Sequence, residues 1–106
     1  MNKIKVIVKR TDEEYGHVAW ISDRLENLQK IVGGYIQTVD LPKGIVCICN
    51  EEGKLLNLPK NFIIPGDVIV GDVILCGEAD DVFCDIPVEF DYWKTLLKNL
   101  EKNAWA

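Results

Sequence analysis

Histidine and serine occur once each in this chain, at His17 and Ser22, and arginine only twice, at Arg10 and Arg24. A Ser-His-Asp triad would have to use Ser22 and His17, five residues apart around a strand end and a helix start. That spacing does not aim a base at a nucleophile. A zinc centre with two or three histidines is excluded by the same count. No apolar run approaches the roughly 18 to 20 residues of a membrane span. The longest, Ile45–Cys49 and the stretch around Val68–Val70, have strand length. Met1-Asn2-Lys3-Ile4-Lys5 carries neither a long apolar region nor a small-residue cleavage site, which predicts a cytoplasmic protein with no membrane partner. In that compartment the four cysteines are expected as free thiols.

Positive charge is also in deficit. Twelve Lys and Arg against 17 Asp and Glu give a net charge of −5 over 106 residues, so the molecule as a whole offers no attractive field to nucleic acid. Hydrophobic residues at 48% and charged residues at 27% describe a globular chain, and its length suits one domain over residues 1–106. A mean hydropathy of +0.04 is slightly apolar for so small a domain. Together with Trp105 and an apolar helix face, it predicts a homo-oligomer, most simply a dimer.

Alternation of Ile4, Val6 and Val8 with Lys3, Lys5 and Lys9 predicts a first strand over Lys3–Lys9, hairpin-paired with a second at His17–Ile21. A helix follows. Asp23 and Glu26 form a capping-box pattern with Ser22 as a competing cap, and Leu25, Leu28, Ile31 and Val32 supply an apolar face. Gly33-Gly34 is the stop. Tyr35–Leu41 and Gly44–Asn50 read as strands about Pro42-Lys43, the second apolar on both faces and so central. A short strand is predicted at Lys54–Leu58, a loop at Lys60–Gly66, and a long strand at Asp67–Gly77 with Gly71 marking a bulge or a close backbone approach. An edge strand at Asp81–Ile86 and a helix from about Pro87 through Phe90, Trp93, Leu97 and Leu100 complete the chain. The fold class is α+β: a mostly antiparallel sheet, with one helix after the first hairpin and one at the C-terminus.

Cys47 and Cys49 share one strand face, but no paired Cys-x2-Cys knuckle accompanies them. They read as buried thiols, with no metal and no cofactor expected. Glu78, Asp80, Asp81, Asp85, Glu89 and Asp91 lie in a stretch devoid of Lys and Arg. It reads either as a hard-cation site or nucleic-acid decoy, or as a solvated edge strand leading into a helix N-terminus. Asn50, Asn57 and Asn61 interleave with Lys54 and Lys60. Amides read base and ribose edges and lysines neutralise phosphate, yet asparagine also closes ordinary turns. The candidate ligand contacts are Tyr35 for stacking, Asn50 and Asn61 for hydrogen bonds, and Lys54 and Lys60 for phosphate. No catalytic residue is assigned.

The stretches Val32-Gly33-Gly34-Tyr35-Ile36, Cys49-Asn-Glu-Glu-Gly-Lys-Leu-Leu-Asn-Leu-Pro59, Asn61 and Gly66-Asp-Val-Ile-Val-Gly71 resemble an uncharacterised family of short proteins from phages, plasmids and Gram-positive genomes. The resemblance covers roughly residues 3 to 77. The acidic segment and last helix depart from it. It implies a protein of a bacterial host cell and a role in blocking host defence. The leading expectation is a non-enzymatic protein sequestering a nucleotide-derived immune signal of the cyclic ADP-ribose type. The alternative is an acidic inhibitor of a host nuclease or DNA-binding protein, and a carboxylate-metal hydrolase ranks third.

Overall fold

The computed structural model describes residues 3–104. Strands β1 (Lys3–Lys9) and β2 (His17–Ser22) precede helix α1 (Leu25–Val32). Then come β3 (Ile36–Asp40), a 3-10 turn at Pro42–Gly44, β4 (Val46–Asn50), β5 (Lys60–Ile64), β6 (Asp67–Val70), β7 (Val73–Ala79), β8 (Val82–Cys84) and helix α2 (Phe90–Ala104). Five strands lie in the order β2-β1-β7-β4-β3, β8 adds to β7, and β5-β6 form a separate two-stranded ribbon. Every pairing is antiparallel, as the α+β reading expects.

Residue alternation divides the main sheet into two buried faces. Across one run Val18, Ile7, Leu75, Cys47 and Val39, paired through successive registers. That face packs under α2 and the β5-β6 ribbon, with Phe62, Ile69, Trp93 and Leu97 in its core. Trp93 is fully buried, stands edge-on to Phe62 with ring centroids 5.9 Å apart, and donates its indole N–H to Tyr15 O at 2.9 Å. The opposite face holds Val6, Val8, Ile48, Ile74 and Cys76 beneath Leu28 and Val32 of α1. Because β4 is interior and covered on both sides, all five of its residues are buried, as its unbroken apolar run predicts.

Several boundaries differ from the sequence reading. The capping box does not form: the residue preceding α1 is Arg24, which makes no side-chain cap, and Ser22 instead accepts a bond from the Arg24 amide. Gly33 does close the helix in the left-handed region, donating to Gln29 O at 2.8 Å. No strand forms over 54–58, where the chain makes successive turns. The loop expected after it is instead β5, whose Phe62 pairs with Ile69 of β6, both entering the core. The long strand expected over 67–77 is two strands, broken at Gly71 with φ +77°. A Cβ there would stand 2.8 Å from a Leu58 methyl, and the Gly71 amide donates to Pro59 O at 2.8 Å. Both features that an interior glycine signals, a turned backbone and a close approach, are present. Helix α2 begins at Phe90, three residues beyond Pro87. The expectation placed on Trp105 lies outside the described residues.

Candidate ligand-binding site

The five residues singled out from sequence do not converge on one pocket. Asn50 is buried; its amide donates to Val32 O at 3.2 Å, and its Oδ1 accepts from the Glu52 amide at 2.8 Å. It thus ties the end of α1 to the turn after β4. Asn61, also buried, donates to Lys9 O and Gly71 O, each at 2.8 Å, and accepts from Lys9 Nζ at 2.7 Å. Lys9 is 2% exposed and also donates to Glu13 O at 2.8 Å. Burial lowers the Lys9 ammonium from its ordinary value, against the pull of Glu101, Glu13 and Glu14. Both amides therefore serve internal architecture. Lys54 is paired with Asp67, while Lys60 is exposed at the start of β5 and Tyr35 is exposed ahead of β3.

Asn50 and Lys54 line a hollow of about 210 Å³, shared with Gln37, Cys49, Leu55, Asp67 and Val68. Hydrogen bonding from Cys47 lowers the Cys49 thiol to about 7, with Gln37 assisting and burial opposing. Cys47 is displaced in the other direction by the same contact and by its burial. Burial also raises Cys76, to about 12. The four thiols are free; Cys47, Cys49 and Cys76 are buried, and Cys84 is half-buried. Among the described residues no three His, Cys, Asp or Glu side chains converge as metal ligands do.

A larger groove lies on the α1 face. Helix α1 sits over β7, β4 and β3; the β1 side chains of that face are buried, but Ala19 and Ile21 of β2 at its edge are only half-buried. The result is a depression of about 530 Å³ with Val8, Ala19, Ile21 and Ile31 as its apolar lining and Arg10, His17, Asn27, Lys30 and Asp72 as its polar groups. Local geometry explains each position. His17 pairs with Val8 in the β1-β2 register and so shares a face with Ala19 and Ile21. Asn27, Lys30 and Ile31 follow the i, i+3, i+4 spacing of one helix side. Asn27 donates to Ser22 O at 2.9 Å, and Asp72 accepts from the Thr11 amide at 3.1 Å. His17 Nδ1 lies 2.8 Å from Glu13 Oε2. Burial would raise the Glu13 carboxyl, but the hydrogen bond from the Arg10 backbone and that from His17 hold it below the usual range. Among the described residues neither Arg10 nor Lys30 enters an ion pair. Two cations outside ion pairs, set among apolar side chains and one carboxylate, can hold a phosphate or other small anion.

Sequence reasoning missed this groove. The rarity of His17 and Arg10 was legible, but Lys30 falls outside the helix face of Leu25, Leu28, Ile31 and Val32 that periodicity picks out. What periodicity does not encode is the lateral offset of α1 that opens the sheet face between them.

No curated protein and no solved structure matches the chain. A family model described as "Domain of unknown function (DUF3846)" matches residues 4–98. That range reaches well past Gly77, taking in the acidic hairpin and most of α2, which the sequence reading had set apart from its family resemblance. With nearly the whole sheet, α1, most of α2 and the α1 groove inside the matched range, the chain belongs to the DUF3846 family.

Proposed function

We propose that this protein is a non-enzymatic binding protein for a small, anionic, nucleotide-derived ligand, seated in the groove between α1 and the β1-β2 hairpin. One observation carries the reading: Arg10 and Lys30, neither of them in an ion pair among the described residues, line one depression with Val8, Ala19, Ile21, Ile31 and a single carboxylate, Asp72, in a chain of net charge −5. In such a chain a local pair of unpaired cations is a departure from the general surface. The depression, at about 530 Å³, falls within the size range of small-molecule sites. Capture of this kind requires affinity and no nucleophile, so it is compatible with a groove whose imidazole is held by Glu13. Sequestration of a nucleotide immune signal is the physiological role that the resemblance to mobile-element proteins suggests for it.

The test is titration calorimetry with ADP-ribose, followed by recovery of the ligand after heat denaturation. Arg10→Gln and Lys30→Gln should each weaken binding about tenfold or more, as expected for loss of a charge-assisted contact. Intact ADP-ribose should be recovered. Unchanged affinity in both variants removes the groove as the site, and recovery of cleaved products replaces binding with catalysis.

The acidic-inhibitor reading keeps one supporting feature. The β7-β8 hairpin turns at Asp80 and Asp81, both at positive φ, and exposes them with Glu78 and Val82. Binding to a basic host protein that falls steeply with salt, in place of small-ligand binding, would favour it.

A further inference from the structure

We infer that the ligand groove continues past Lys30 into a second hollow, and that the ligand it fits is a nucleoside diphosphate bearing a further group beyond its phosphates. This rests on the groove being the binding site and adds the class of ligand. The second hollow, of about 380 Å³, is lined by Thr11, Val32, Leu58, Pro59 and Gly71, and shares Lys30, Ile31 and Asp72 with the first. The two depressions are therefore lobes of one cleft that runs beside α1.

The distribution of charge along that cleft selects the ligand. Lys30 stands at the junction, and Arg10, in the first lobe, directly precedes Thr11 of the second. Lys30 thus marks the middle of the cleft and Arg10 lies in the first lobe, with Ala19 and Ile21 on that side and Leu58, Pro59 and Val32 on the other. A mononucleotide carries its charge at one end and would leave one apolar lobe unfilled. A diphosphate with a ring-bearing group on each side places its charge where the cations are. Asp72, at the same junction, is fixed by the Thr11 amide at 3.1 Å. A carboxylate accepts hydrogen bonds only, so it repels phosphate but receives hydroxyls, which a ribose presents next to its phosphate.

The experiment compares ADP-ribose, AMP and inorganic pyrophosphate by calorimetry on the wild-type chain and on Thr11→Phe, which narrows the second lobe alone. Thr11→Ser is the conservative control, and melting curves establish that each variant is folded. ADP-ribose should bind at least about tenfold tighter than AMP, because a linked second group adds its contacts at little further entropic cost. Thr11→Phe should abolish that advantage, and Thr11→Ser should preserve it. Should Thr11→Phe not fold, the wild-type ratio of the two affinities decides by itself. ADP-ribose and AMP binding with equal affinity would overturn the two-lobed cleft and leave the proposed function standing. Failure of all three probes to bind would overturn both.

Discussion

Replacing Asn61 with Ala removes three buried hydrogen bonds at once. Two are neutral, from Nδ2 to Lys9 O and Gly71 O at 2.8 Å, and one is charge-assisted, from Lys9 Nζ to Oδ1 at 2.7 Å. At about 1 kcal/mol for each neutral bond and about 2 for the charged one, the loss is about 3 to 4 kcal/mol. Lys9 keeps its bond to Glu13 O at 2.8 Å, which limits the penalty of an ammonium left in a buried site. The measurement is urea unfolding of wild type and Asn61→Ala, with the midpoint shift read at constant slope. In a thermal scan the same loss should lower the melting temperature by roughly 12 °C or more. The double variant Lys9→Met/Asn61→Leu removes charge and acceptor together and should recover much of the loss, since an apolar pair is often no worse than a buried polar one. Ligand affinity of Asn61→Ala should be unaltered where the variant is folded. A loss below about 1 kcal/mol together with weakened ligand binding would refute the reasoning and return Asn61 to the ligand role considered from sequence.

Other expectations follow from the same structure. One of the four thiols should ionise near 7, read as thiolate absorbance against pH, and Cys49→Ser should remove that transition. Because folded Cys49 releases its proton at about 7 and an ordinary thiol at 9.0, the unfolded chain binds more protons in between. This group's contribution to stability should therefore grow as pH rises through that window, and a flat response in Cys47→Ala and wild type alike would contradict the pairing. The Lys54 hydrogen bond holds Asp67 below its ordinary value, so its stabilisation is present above that value and lost as pH falls through the folded one. Both groups are substantially exposed, so Asp67→Asn should cost less than about 1 kcal/mol at neutral pH. Gly71→Ala should cost about 1 to 2 kcal/mol in unfolding experiments, from its positive φ and the Leu58 contact. Light scattering should report a species near twice 12.0 kDa, given Trp20 60% exposed on the edge strand β2; a species of single-chain mass at tens of micromolar would count against the dimer.

Where one periodicity ran unbroken between clear stops, the elements were legible. Ile4, Val6 and Val8 named the α1-facing side of β1, Ile45–Cys49 announced an interior strand, and Gly33 ended α1. Between Asn50 and Gly77 local signals conflicted. Pro59, Pro65 and Gly66 bracket Lys60–Ile64 so closely that it reads as loop, and only the Phe62–Ile69 pairing over the core makes it a strand. Gly71 was recognised as a special position, but a bulge and a chain reversal share the same glycine signature. The asparagines show a similar limit. An amide that reads a base and an amide that caps a helix end are one residue type, and burial beside Val32 O or Lys9 O decides between them. The groove residues come from a β1 end, β2, α1 and the start of β7, joined by tertiary placement that no local pattern contains.

The most direct test of the account is an amide-resolved NMR titration of the chain with ADP-ribose. The account predicts shifts concentrated at Arg10, His17, Ala19, Asn27, Lys30, Ile31 and Asp72, saturating together and diminished in Lys30→Gln. Shifts confined to the turn from Asn50 to Asn61, or none at ligand concentrations that saturate calorimetry, would contradict it.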